Sequence, residues 1–354
     1  MAPATAAATL DNGRAGAAVL PLPPRLLADP GAPPPLDRVR ALAAALAPAL
    51  ALFPGDPYNP CSGPWFAAHS RLLRDGQEVA PLGGTTLATA LAAQAALGGP
   101  GVAAGRLRLD LDPAARSGQP IADLNSGAPL YCRAQLLRHP SGRPRLELTY
   151  LALYAYNGTY HLAGFGPGVG HHDGDWERMT VRVDPESGEA AGVWFNSHRP
   201  RDGAWTRAAA APRLPGGRLL AYVARHGHGV YPTPGVQPRA FGVANDRTAA
   251  DGPLWAPTKV VLVRPRSAAP GAGEWVGVVD CRGCEADDGA RGVPLPPALP
   301  AVSATLDADG VGDYAGQWGT VPAPRCQGWW ARAECPASRS AALRLFCQPW
   351  PEPA

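Results

Sequence analysis

The segment "HHDGDWERMTVRV", residues 171–183, puts two histidines, three carboxylates and a tryptophan into its first seven positions, directly ahead of an alternating apolar run. Carboxylate oxygens suit hard divalent cations and imidazole suits borderline ones, so this mixture has the ligand chemistry of a cation site. In an extended strand, residues two apart share a face. Asp175 and Glu177 therefore point together, away from Trp176, and their parity continues into Met179, Val181 and Val183. Two carboxylates at the mouth of an apolar face are costly unless a cation or hydrogen-bond donors meet them. His172, three residues before Asp175 in a glycine-flanked turn, can fold back toward them. Six of the eight histidines lie between residues 161 and 228. Of these, His198, closing "GVWFNSH", and His228, in "RHGHG", are the candidates to line the same pocket. The bland alternative is a solvated turn whose side chains bond the backbone.

Other chemistries fit less well. Ser197 and His198 are adjacent, so on a strand they face opposite ways, and no "GxSxG" elbow surrounds any serine. There is no "HExxH" helix, and "GFGPGVG" lacks the Gly-Lys-Ser/Thr ending of a phosphate loop.

The elements that must position the cluster are mostly strands. "RPRLELTYLALYAYN" alternates and then becomes a buried apolar run, and "WERMTVRVDPESGEAAGVWFNSH" reads as two strands joined by "DPESGE". "ALALF", "RLLAYVARHG", "TKVVLVRP" and "EWVGVVD" are further strands. Helices are short and early: one starts at an Asp37 cap and ends at Pro48, and one spans residues 85–101 with a threonine at its start. Short strands between Gly, Pro and Asp turns predict a mainly β chain, an antiparallel β-sandwich with short N-terminal helices and long loops. Residues 1–35 read as a disordered Ala/Pro-rich leader and 36–354 as a single domain, with 76–128 a candidate insertion.

The charge balance is 32 basic against 29 acidic residues, and Lys259 is the one lysine, so the positive charge is arginine without basic runs. That pattern gives no support to nucleic-acid binding. No apolar stretch is long enough for a transmembrane helix. The seven cysteines are odd in number and scattered, so "CRGC" at 281–284 leaves zinc, disulfides and free thiols all open.

In order, "LALFPGDPYNPCSGPWF", "LELTYLALYAYNG", "HHDGDWERMTVRV", "VWFNSH", "YVARHGHGVYPTPG" and "YAGQWGTVPAPRCQGWW" resemble the vacuolar protein sorting-associated protein 62 family. "GDWE" and "GQWG" are the most specific pieces. The central motif is also similar to the "GHRHDWE" heptad of the necrosis-inducing (NLP) proteins, β-sandwich toxins that bind a divalent cation and plant sphingolipid headgroups. That resemblance implies His172, Asp175 and Glu177 as metal ligands. Gly174 stands where the heptad has its second histidine, and Asn157 is the nearest counterpart of an upstream acidic ligand.

The expectation is non-enzymatic recognition of a polar lipid headgroup or glycan, dependent on a divalent cation, with Ca²⁺ or Mg²⁺ ahead of Zn²⁺, and linked to vacuolar protein sorting. Asn157, His198 and His228 would line the pocket. The alternatives are a metal-assisted hydrolase and a structural trafficking adaptor without metal. Placement in the cytoplasm or at the periphery of endomembranes goes with either reading.

Overall fold

A computed structural model describes residues 32–103, 105–138, 144–161, 168–197, 199–238, 245–264, 275–280 and 302–320. The chain is mainly β. Its central sheet runs, edge to edge, Arg199–Arg207, Ala190–Ser197, His172–Val183, Arg145–Asn157, Leu130–Arg138, Lys259–Leu262 and Ser303–Leu306, with Val276–Asp280 also paired to Leu130–Arg138. The five strands from Arg199–Arg207 to Leu130–Arg138 are antiparallel to their neighbours, as the turn-rich sequence predicts. Beyond them the pairing becomes parallel, because Lys259–Leu262 and Val276–Asp280 return over long connections and not through hairpins. The sheet is thus mixed where the sequence suggested an antiparallel one.

Alternation splits the apolar residues of the long strands between two cores. Leu146, Leu148, Tyr150 and Tyr154, with Met179, Val181 and Val183, face one layer. That layer contains the helix Leu36–Ala45 and a small sheet ordered Val230–Tyr231, Leu220–Val223, Ala49–Ala51, Leu254–Trp255. Leu151, Leu153 and Trp176 face the other, where Phe66, Leu72, Leu107 and Trp318 pack. There the strands Gln317–Trp318, Leu107–Leu111, Ser70–Arg74 and Gln77–Ala80 form a second four-stranded sheet. Segment 76–128 therefore supplies core residues and a central strand to this layer.

The first helix presents Val39, Leu42 and Ala43 to the core at the spacing of one helical face. It begins at Leu36 after Pro35, so Asp37 sits inside the first turn near the positive end of the helix dipole and is not the cap. Arg218, buried beside this helix, donates to the carbonyls of Ala47, Pro48 and Pro257, closing the backbone that enters and leaves the small sheet. The second expected helix is Leu87–Ala96, started by a Thr86–Thr89 capping box. The "DPESGE" turn is held by Asp184, whose Oδ1 accepts the backbone N–H groups of Glu186 and Ser187, each at 2.9 Å. Cys61 and Cys132 are buried free thiols. Residues 1–31 of the expected leader 1–35, "CRGC" and the later cysteines lie outside the described residues.

Candidate functional site

Strand pairing builds the site. In the register of Arg145–Asn157 with His172–Val183, Tyr154 lies opposite Asp175, Ala152 opposite Glu177, Tyr156 opposite Asp173 and Asn157 opposite His172. Asp175 and Glu177 share parity with Met179, and Trp176 turns into the other core against Trp318, with ring centroids 5.5 Å apart. Both carboxylates are buried.

Asp175 is met by a histidine from elsewhere in the chain. His228 Nδ1 lies 2.9 Å from Asp175 Oδ2, while His172 Nε2 lies 3.9 Å from Asp175 Oδ1. His172 is thus in the neighbourhood, as expected, but the hydrogen-bonded partner is His228. Among the described residues no group of three or more His, Cys, Asp or Glu side chains is arranged to hold a metal ion. The trio His172, Asp175 and Glu177 does not fit a shared cation on its own, and one oxygen of Asp175 is already engaged. His198 lies outside the described residues.

His228 is placed by an unusual backbone. "RHGHG" is a turn and not the extended segment its alternation suggests: His226 and His228 have φ of +67° and +53°. Such left-handed conformations are uncommon for residues other than glycine, though histidine is among those enriched there. Asp56 stabilises the turn, its Oδ2 accepting the His226 N–H at 2.6 Å and its Oδ1 the Tyr58 N–H at 3.2 Å. The turn drives the His228 ring, only 1 % exposed, flat onto Tyr154, with centroids 3.9 Å apart and planes 3° from parallel.

A carboxylate only accepts hydrogen bonds, so Asp175 holds the proton of a neutral His228 ring on Nδ1 and leaves Nε2 with a free lone pair. Nε2 is buried and has no hydrogen-bond partner among the described residues, and the same is true of Tyr154 Oη. Buried polar atoms are nearly always paired, so two orphans in stacked rings call for an explanation. Both residues line a cleft of about 60 Å³, together with Asp56, Tyr58, Phe53 and Ile121. At roughly 10–15 Å³ per water, that space admits a few waters or a group of a few heavy atoms. Burial and the nearby carboxylates of Glu177, Asp175 and Asp56 push the Tyr154 phenol well above its ordinary pKa, so it stays a hydrogen-bond donor.

A second cluster borders the first. Arg116 Nε donates to Asp173 Oδ1 at 2.7 Å, Thr320 donates to Asp173 Oδ2 at 2.8 Å, and the guanidinium lies 4.6 Å from the centre of the Tyr156 ring. The hydrogen bond to Asp173 raises the Arg116 pKa further. Asn157 donates through Nδ2 to the Gly170 carbonyl at 2.8 Å, and its buried Oδ1 has no partner among the described residues.

Gly174 stands where the expected heptad would carry a second histidine. Its φ is +71°, and a Cβ there would overlap the Trp318 carbonyl oxygen. Gly319 is the reciprocal case, with φ of +80° and no room for a Cβ beside the Asp173 carbonyl. A histidine does not fit at position 174 of this fold.

Sequence reasoning missed Tyr154, Asp56 and Arg116. Tyr154 reads as one apolar residue in a buried run, and Asp56 as a member of a turn. The available signal was the pair of acidic and aromatic residues in "PGDPYNP", the same turn that flanks the cleft.

These strands, layers and the cleft belong to a mainly β protein with a buried His–Asp pair between its central sheet and a turn of the small sheet. A family model for vacuolar protein sorting-associated protein 62 matches residues 27–263 of the 354, and the chain belongs to that family. Searches of curated proteins and of solved structures return no match.

Proposed function

We propose that the cleft over His228 and Tyr154 recognises a hydroxyl-bearing group, the tip of a polar headgroup or of a glycan, in a role related to vacuolar protein sorting. One observation carries the reading: His228 Nε2 and Tyr154 Oη are buried and unpartnered among the described residues, and both residues line the same cleft. Nε2 offers a lone pair and Oη a proton, so a hydroxyl can donate to one and accept from the other. Leaving either unmet costs roughly 1–3 kcal/mol, which a matching ligand recovers. The family supports the sorting role. No described helix is long and apolar enough to cross a membrane, which agrees with action at the periphery of endomembranes or in the cytoplasm.

The test is calorimetric titration of the full chain with myo-inositol and with methyl α-glucoside, which separate the headgroup and glycan arms. Saturable binding of either, lost in His228→Gln, is the expected result. A folded wild-type protein that binds neither, or a variant that binds as well, would overturn it.

Cation dependence is the second part of the reading. It is favoured by the 3.9 Å approach of His172 to Asp175 Oδ1 and by the three carboxylates around Tyr154. Because the protein side chains alone do not complete a ligand set, the bound group or solvent must supply oxygens. Metal analysis of protein purified without chelator, beside the Asp175→Ala/Glu177→Ala double variant, decides it. Equal metal content in the two proteins removes the cation from the proposal.

A further inference from the structure

We propose that Asp175 and His228 form a general-base dyad that activates water for hydrolysis of a small carboxylic ester in this cleft. The inference rests on the reading above only in taking the cleft to be open to ligands. Three features point past binding. A carboxylate on Nδ1 fixes the ring orientation and leaves Nε2 as the proton acceptor, which is how a histidine is prepared for proton transfer. The histidine is held in a left-handed conformation, φ +53°, and backbone strain of this kind gathers at functional sites. The cleft is too small for a whole sugar or lipid but has room for a water and a short acyl group.

The step balances without oxidant or metal. A water O–H gives its proton to His228 Nε2 as the oxygen attacks the acyl carbon. The carbonyl oxygen, now negative, accepts the hydrogen bond of Tyr154 Oη. The ester C–O bond then breaks, and the proton on Nε2 passes to the departing alkoxide, giving a carboxylic acid and an alcohol. His228 is the catalytic base, Tyr154 the oxyanion donor and Asp175 a positioning residue. Walls from Phe53 and Ile121 suit the methyl end of an acetyl group better than a charged one.

The experiment uses the full chain and p-nitrophenyl acetate, against an equal concentration of free imidazole as the background. Wild-type protein is expected to turn over well above that background. Because φ is positive at position 228, glycine is sterically suited there, so His228→Gly tests the ring without forcing the turn. Its rate should fall about 100-fold, in the range of a lost general base, and added imidazole should restore activity by entering the vacated space. Tyr154→Phe should lose about 100-fold in kcat, as a removed oxyanion donor does. Asp175→Asn should lower kcat while KM holds. Rescue by imidazole shows that the His228→Gly protein is folded. A wild-type rate no greater than imidazole alone, or a His228→Gly rate equal to wild type, would overturn the dyad. Polyol binding without turnover keeps recognition and removes catalysis, and turnover without polyol binding does the reverse.

Discussion

The imidazole of His228 lies flat on the phenol of Tyr154, 3° from parallel, while Asp175 holds its Nδ1 at 2.9 Å. Three residues from three places in the chain thus make one rigid unit, and the stack and the hydroxyl of Tyr154 separate as contributions. Tyr154→Phe keeps the ring and removes a buried hydroxyl without a partner among the described residues, so stability should rise, by up to about 1–3 kcal/mol. Tyr154→Ala removes the stack and opens a cavity, and should cost about 3–5 kcal/mol. Urea unfolding of both variants checks the contrast. A Phe variant as unstable as the Ala variant would mean that the hydroxyl is bonded.

Asp173 is almost fully buried and is held by Arg116 and Thr320. Removing one partner of a buried ion pair costs about 3–5 kcal/mol, and an exposed pair contributes 0–1. Arg116 has a side chain 38 % exposed, so Arg116→Ala should fall between, at about 2 kcal/mol. Arg116→Met should recover part of that loss through packing on Tyr156. Thermal melts at low and high salt measure it, and a cost that vanishes in high salt would identify an ordinary surface pair.

Gly174→Ala should be among the most damaging single-methyl changes in the protein. The left-handed backbone costs about 1–3 kcal/mol for a side chain, and the new Cβ also meets a carbonyl oxygen that belongs to rigid backbone. Chemical denaturation should show a loss above 2 kcal/mol, roughly, from the two effects together. A near-neutral result would show that the 318–319 backbone can move away.

The buried thiols and phenols set the response to alkali. Burial raises the pKa of Cys61, Cys132, Tyr131, Tyr150, Tyr154 and Tyr314 in the folded state. The unfolded chain ionises these groups first, near pH 8.5 for cysteine and near 10 for tyrosine, so it binds fewer protons and stability falls as pH rises. Their stabilisation is complete below about pH 8 and is lost progressively above it. Arg218, Arg178 and Arg213 oppose the trend, since burial lowers their folded pKa values, that of Arg218 to about 10, but they are three groups against six. Denaturation midpoints from pH 7 to 11 should decline from about 8.5 and more steeply above 10. The double variant Cys61→Ala/Cys132→Ala should delay the onset.

The long strands, their facing residues and the turn between them were legible because alternation is a local signal and each segment carries its own. The same parity correctly paired Asp175 with Glu177 against Trp176. Strand direction beyond Leu130–Arg138 was not legible, since an apolar run such as Lys259–Leu262 reads the same in a parallel or antiparallel neighbour. The His228–Asp175 bond was hidden for two reasons. The residues are far apart in sequence, and the turn that aims the ring needs a positive φ that "RHGHG" does not announce. Proximity in sequence pointed to His172 instead. Tyr154 was hidden by its surroundings, because a tyrosine in a run of core residues gives no sign that it lines a cleft.

The close crossing of the Trp318–Gly319 backbone over Gly174 ties the middle of the chain to a much later part of it. During synthesis the His172–Val183 strand leaves the ribosome long before the segment that crosses over its Gly174. Loop closure over such a separation is slow compared with forming a hairpin. Asp173 therefore gains its Thr320 hydrogen bond only when residues 317–320 dock. The Arg116–Asp173 cluster is in this way completed beside the last strand of the second sheet, and a chain halted before it would keep that ion pair without its hydroxyl donor.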